Sequence, residues 1–172
     1  VLTTLHTNDA CSAITRMINM GVEPYLIGAA LNMVLAQRLV RRICPKCKSA
    51  YEPPRTVRKA IEKMGFAIDE FHRGVGCKNC RNTGYSGRIG VHELLILDDD
   101  IRDIVVNNPT VASVQAAALA KGMITLRQDG FRKVREGITT IEEILHITGD
   151  IRDTGETHAP SATSPQAPQT TA

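Results

Sequence analysis

Four cysteines fall in two pairs of identical spacing, Cys44-Pro-Lys-Cys47 and Cys77-Lys-Asn-Cys80. Two residues between thiolates let a tight turn aim both sulfurs at one ion while the backbone N–H groups of the turn donate to them. Two such turns complete a tetrahedral shell of four sulfurs with no open position, which is the chemistry of a structural rather than a catalytic Zn2+ site. The 29 residues between the pairs exceed the usual interval of roughly 15–20, so a small excursion sits between the knuckles. That excursion, residues 48–76, has too few apolar residues for a core of its own, and bound metal would supply the missing stability. The competing readings are a redox C-x-x-C, four buried thiols or an iron–sulfur cluster; two pairs in an aromatic-poor stretch favour zinc over each. His72, five residues before Cys77, reads as a surface histidine, and Cys11, with no partner in sequence, as a small core residue.

The other residue placed for chemistry is His6. It ends the apolar and β-branched run Val1–Leu5 and precedes Thr7-Asn8-Asp9. From the sequence alone, a lone histidine at a strand end reads as structural. Residues 38–59 carry eight basic side chains (Arg38, Arg41, Arg42, Lys46, Lys48, Arg55, Arg58, Lys59) against one acid, Glu52. Nucleic acid is one partner for such a run, but stacking aromatics are sparse. The cations also offset the formal −2 charge of a Zn2+ held by four thiolates, and a protein surface or acidic lipid headgroups fit them equally.

The elements that must position these residues are read from periodicity and caps. A buried strand is expected over Val1–Leu5, then a helix capped by Thr7-Asn8-Asp9 with Ala10, Ala13, Ile14, Met17 and Ile18 inward and Gly21 as its stop. Pro24 opens a second helix, Tyr25 to about Leu39, apolar nearly all round and so expected to be buried against a large partner surface. Val57–Met64 suits one helix. Gly84, Gly87 and Gly90 punctuate an expected hairpin, with Arg88–Leu97 leading to a strand or helix start. Four helices should follow. Asp98 caps one carrying Ile101, Ile104 and Val105. Thr110 caps a second through Lys121, with Val111, Val114, Ala118 and Leu119 inward. A third spans Thr125–Glu136, and Thr140 with Glu143 forms a capping box for a fourth, ending at Gly149.

Composition sets the outer bounds. The 172 residues suffice for about one domain, and 42% apolar content with three Phe, three Tyr and no Trp demands an aliphatic core. A net charge of +3 argues for nothing alone. No stretch approaches the roughly 18 apolar residues of a membrane span, no cleavable leader is visible, and the cysteine usage predicts a reducing, cytoplasmic compartment. Residues 153–172 contain no Val, Ile, Leu, Met or Phe and are expected to be a disordered tail.

Four segments in order carry a resemblance. "VLTTLHTNDA" resembles the histidine box of the type II secretion and type IV pilus assembly ATPases. "LAQRLVRRICPKC" resembles the segment after their ATP-binding core, "GCKNCRNTGYSGRIGVHELL" their second cysteine knuckle, and "LRQDGFRKVREGITTIEEILHIT" their C-terminal helices. "GVHELLILDD" and "LRQDG" resemble the secretion branch more closely. The resemblance implies that Val1 is a cut edge. It implies an α+β fold: residues 1–42 as the last strand and helices of a RecA-like ATPase domain, 43–97 as a four-cysteine zinc lobe, 98–149 as a helical subdomain and 150–172 as a tail. It further implies that the complete protein binds ATP and Mg2+ through an upstream P-loop, with His6 on the γ-phosphate side of the nucleotide. A six-membered ring would then act on inner-membrane platform proteins from the cytoplasmic face, while this portion alone should not hydrolyse ATP. The alternative expectation is a free-standing zinc module for nucleic acid or protein partners.

Overall fold

The computed structural model describes residues 1–149; the expected tail lies outside them. Its frame is a long two-stranded antiparallel ribbon. Strand β1 (Met33–Ile43) pairs with β4 (Tyr85–Ile96) from Met33↔Ile96 to Ile43↔Tyr85, with an irregularity between Arg41 and Ile43. Helices α1 (Ala10–Asn19) and α2 (Pro24–Ala30) precede it. Between its strands lie β2 (Lys48–Tyr51), α3 (Arg55–Lys63), β3 (Phe71–Gly74) and a 3-10 turn at Lys78–Cys80. Helices α4 (Asp99–Asn107), α5 (Val111–Ala120), α6 (Leu126–Arg135) and α7 (Ile141–Thr148) follow. A second small sheet pairs β2 with β3 from Lys48↔Gly74 to Tyr51↔Phe71. The α+β expectation holds. Among the described residues no helix is long and apolar enough to cross a membrane.

Two cores lie on the inner face of the ribbon. The first joins Ala10, Cys11 and Ile14 of α1 to Ile27, Leu95, Ile101, Val105, Val114 and Ala118. The second joins Val40 and Val91 to Ile61, Phe71, Phe131, Val134 and Ile144, with Phe66 edge-on to Phe131 at a centroid distance of 4.6 Å. Together they draw on all three of the expected segments 1–42, 43–97 and 98–149. Both cores are mainly aliphatic, as the composition requires.

Several expected elements take another form. Val1–Leu5 is no strand: among the described residues no strand lies beside it to take its hydrogen bonds, and Val1 and Leu2 are fully exposed. The second helix stops at Ala30 instead of running to Leu39, because Val34, Ala36, Arg38 and Val40 alternate inward once β1 meets β4. Leu, Ala, Met and Gln favour helix locally, but the ladder with a distant strand overrides that preference. The hairpin expected around Gly84, Gly87 and Gly90 does not form; Tyr85–Ile96 is one continuous strand whose partner lies far upstream.

Caps at Asp9, Asp98 and Thr110 form as expected, and Thr125, expected as the first residue of its helix, is instead that helix's cap; each side chain accepts a backbone N–H three residues on. The capping box at Thr140 does not form: Glu143 instead chelates Arg41, accepting from its backbone N–H at 2.9 Å and its guanidinium at 2.6 and 3.0 Å. Thr140 hydroxyl meets the Tyr85 hydroxyl at 3.1 Å. The reciprocal box belongs to α6, where Gln128 Oε1 accepts from the Thr125 N–H at 2.8 Å. Leu119, expected inward, is 41% exposed. His72 is half-buried rather than on the surface, with Nδ1 enclosed and without a hydrogen-bond partner among the described residues.

Candidate metal centre and the His6 segment

The two cysteine turns arise at strand ends. Cys44 follows the last residue of β1, and the Cys47 N–H closes a turn onto Cys44 O at 3.2 Å. The second turn repeats this closure from the Cys80 N–H to Cys77 O at 3.2 Å. Two non-glycine residues with left-handed backbone, Arg81 (φ 53°) and Asn82 (φ 60°), curl the chain so that the Gly84 N–H reaches the Cys80 sulfur at 3.3 Å. The turns are bound to each other. The Cys44 N–H donates to Gly84 O at 2.9 Å, and a Cβ at Gly74 would overlap that same carbonyl, so the approach of these strands requires glycine.

The four sulfurs converge as the spacing predicted. All lie within 4.8 Å of one another, with Cys44–Cys77 at 3.9 Å, Cys47–Cys80 at 3.8 Å and Cys77–Cys80 at 3.7 Å. A tetrahedron with metal–sulfur bonds of about 2.3 Å has sulfur–sulfur edges of about 3.8 Å. A disulfide would need about 2.0 Å, and all four thiols are free. The donor set therefore fits a four-coordinate Zn2+. Burial alone would raise the Cys80 thiol, but N–H donation from Cys77 and Gly84 draws it down to about 6. Burial pushes Cys47 up to about 12, assisted by its sulfur neighbours. Asn79 Nδ2 lies 3.7 Å from the Cys44 sulfur, a further donor at the cluster's rim.

His6 lies apart from this cluster and is exposed. The segment after it is pinned from the ribbon. Arg38 Nη2 donates to Thr7 O and to Asn8 Oδ1, both at 3.2 Å, and buried Glu93 accepts from the Ala10 N–H at 2.8 Å. A cleft of about 550 Å3 opens beside it, lined by Asn8, Asp9, Glu93, Thr125 and Arg127 among others. Sequence reading missed Glu93; alternation along β4 places it inward, but nothing local marks it as a partner of residue 10. Cys11 is a core residue as expected, its thiol raised to about 12 by burial with the charges of Glu93 and Asp9 adding to it. The basic run is partly engaged within the molecule. Arg38 and Arg41 have the partners given above, while Arg58 pairs with Glu52 at 2.8 Å and stacks over Phe71.

A family model described as type II/IV secretion system protein matches residues 1–146. The chain is 48% identical over 150 residues to the type IV pilus assembly ATPase PilB of Thermus thermophilus, covering 86% of this chain and 17% of that protein. It is 47% identical over 150 residues to the type II secretion system protein HxcR of Pseudomonas aeruginosa, covering 87% and 28%. It is 41% identical over 148 residues to the type II secretion system ATPase E of Vibrio cholerae, covering 86% and 29%. The chain thus spans less than a third of the length of these relatives.

Proposed function

This chain belongs to the type II/IV secretion system protein family, and from that premise we propose that it is the C-terminal portion of a cytoplasmic ATPase, peripheral to the inner membrane, that powers type II secretion or type IV pilus assembly. The observation that carries this reading is the family match over residues 1–146, which spans both the His6 segment and the four-cysteine cluster. Six copies of the complete protein form a ring in which ATP binding and hydrolysis shift domains against one another and drive an inner-membrane platform. The 172 residues contain no G-x-x-x-x-G-K-[ST] loop, so ATP and Mg2+ are held elsewhere in the complete protein and this chain alone is inactive. His6 contacts the γ-phosphate side of that nucleotide, where positioning and electrostatic stabilisation supply the catalysis. Its exposure and its pinned flank support the assignment.

Residues 1–42 complete a RecA-like core in this reading. Support comes from the outer ribbon face, where Met33, Leu35 and Ile96 are each 59% exposed and Leu39 58%; an apolar face of this kind suits burial by the remainder of the protein. Cys44, Cys47, Cys77 and Cys80 hold a structural Zn2+, which supplies the cross-link that joins β1, β2 and the start of β4. Exposed Arg55 and Lys59, with Arg58, form the face that meets the platform, and reversing their charge should weaken that binding. The secretion and pilus branches are matched at nearly equal identity, 47% and 48%.

The test is ATP hydrolysis by the complete protein, by its His6→Ala variant and by this chain. Hydrolysis by the first, a loss of about 100-fold in the second and none by the third are expected. Hydrolysis by this chain alone would place the nucleotide site within it and overturn the reading, while full activity of His6→Ala would remove His6 from the site.

A further inference from the structure

Glu93 sits on the inner face of β4 opposite Ala36 and is 3% exposed, the one buried carboxylate among the described residues. Its two oxygens serve two different helices. Oε1 accepts from the Ala10 N–H at 2.8 Å and Oε2 from the Leu126 N–H at 3.1 Å. Ala10 and Leu126 are the first residues of α1 and α6. Each N–H is a donor that its own helix leaves without a partner, and the two positive helix ends together offset the cost of a buried charge. One carboxylate therefore ties the start of α1 in the first core to the start of α6 in the second.

We propose that Glu93 is a positioning residue for His6, setting where the histidine lies by fixing the start of α1 against the start of α6; this rests on the reading of His6 as a nucleotide contact. Residues 7–10 are held at both ends from one ribbon face, by Arg38 through Thr7 O and Asn8 Oδ1 and by Glu93 through the Ala10 N–H. His6 leaves directly from that held stretch. A carboxylate is rigid and planar, so a displacement of α6 that carries Oε2 with it moves Oε1 and the partner of Oε1. The position of His6 thereby depends on the α6–α7 face as well as on its own segment, which gives the C-terminal helices a route to the nucleotide side.

The test uses Glu93→Gln, His6→Ala and the double variant in the complete protein. Gln keeps the shape but offers one acceptor oxygen in place of two, so one helix start loses its partner. Hydrogen exchange should quicken in peptides covering residues 7–12 and 124–129 and stay unchanged in α4 and α5, which shows that the variant is folded. Glu93→Gln should lower kcat for ATP about tenfold with KM within about twofold, a loss of orientation rather than of binding. The double variant should be no slower than His6→Ala. Arg38→Gln, which releases Thr7 O and Asn8 Oδ1 but leaves Glu93 with both of its partners, should give the same kcat-against-KM split. If His6→Ala lowers kcat but Glu93→Gln does not, or if the two losses multiply, the positioning role is overturned while the His6 reading survives. If His6→Ala itself has no effect, the His6 reading fails and takes this proposal with it.

Discussion

Cys44 and Cys80 show how much one side chain contributes to the candidate metal centre. Each is buried, and Cys80 accepts two backbone N–H groups, from Cys77 at 3.2 Å and Gly84 at 3.3 Å, that would have no other sulfur to serve. Replacing either by Ser removes a soft thiolate and puts in a hydroxyl that does not ionise at neutral pH. Elemental analysis should find one zinc per chain in the parent and well under one in Cys44→Ser or Cys80→Ser. Asp129 carries a different kind of contribution. Burial works to raise it, but the Lys133 ammonium and the His92 N–H at 2.9 Å outweigh burial and hold it below the usual carboxylate range. A carboxylate lowered on folding stabilises above its unfolded pKa, about 3.9, and loses that contribution as pH falls through its folded value. Asp129→Asn should therefore cost about 1 kcal/mol at pH 7 and progressively less as pH falls below about 3.9, for example at about pH 3. Denaturant unfolding at both pH values checks the sign; an equal cost at each would mean that shape rather than charge matters there.

At the scale of elements, the knuckles depend on the approach of β3 to the chain entering β4. Gly74 ends β3, and a Cβ there would overlap backbone at Gly84, which no side-chain rearrangement relieves. Gly74→Ala should separate the two cysteine turns, and a zinc competition titration should show affinity lower by about 10- to 100-fold, the range for lost support around a metal site. Unchanged affinity would mean that the turns tolerate more separation than their hydrogen bonds suggest. The same elements show what was legible beforehand. Helices α4, α5 and α6 announce themselves because Asp98, Thr110 and Thr125 act within three residues of their partners, and the cysteine spacing reports a turn geometry that is equally local. Strand β1 does not, because "MVLAQRLV" is rich in good helix formers (Met, Leu, Ala, Gln, Arg) and its fate is settled by β4, some fifty residues on. Thr140 and Glu143 have the pattern of a capping box, yet a bidentate Arg41 is the stronger partner for the carboxylate. Glu93 is least legible of all, since its partners lie 83 and 33 residues away and only the assembled fold brings them to one carboxylate.

For the whole molecule, the reach of the candidate metal centre follows from where it sits in the ribbon. The cluster closes one end of the β1–β4 ribbon, between Cys44 and Gly84, and sends out β2, α3 and β3 as an excursion. That excursion contributes Ile61, Ile68 and Phe71 to the second core, but β2 and β3 are only four residues each, a sheet too short to persist in water without support. Its two ends are fixed by Cys47 and by the chain leading to Cys77. The first core draws nothing from it: α1, α2, α4 and α5 close over Leu95 and Leu97 at the opposite end of the ribbon. Chelation should therefore release the protein in parts. Hydrogen exchange should show β2, α3 and β3 losing protection when metal is removed, α6 losing some because Phe131 loses Phe66, and α1, α4 and α5 keeping theirs. Residues 1–8, with no backbone ladder, should exchange at once in either state. A uniform loss across both cores would show instead that the ribbon transmits the metal's stabilisation along its whole length. The chain would then be one cooperative unit, and the link between cores made by Glu93 would be a stability element as much as a positional one.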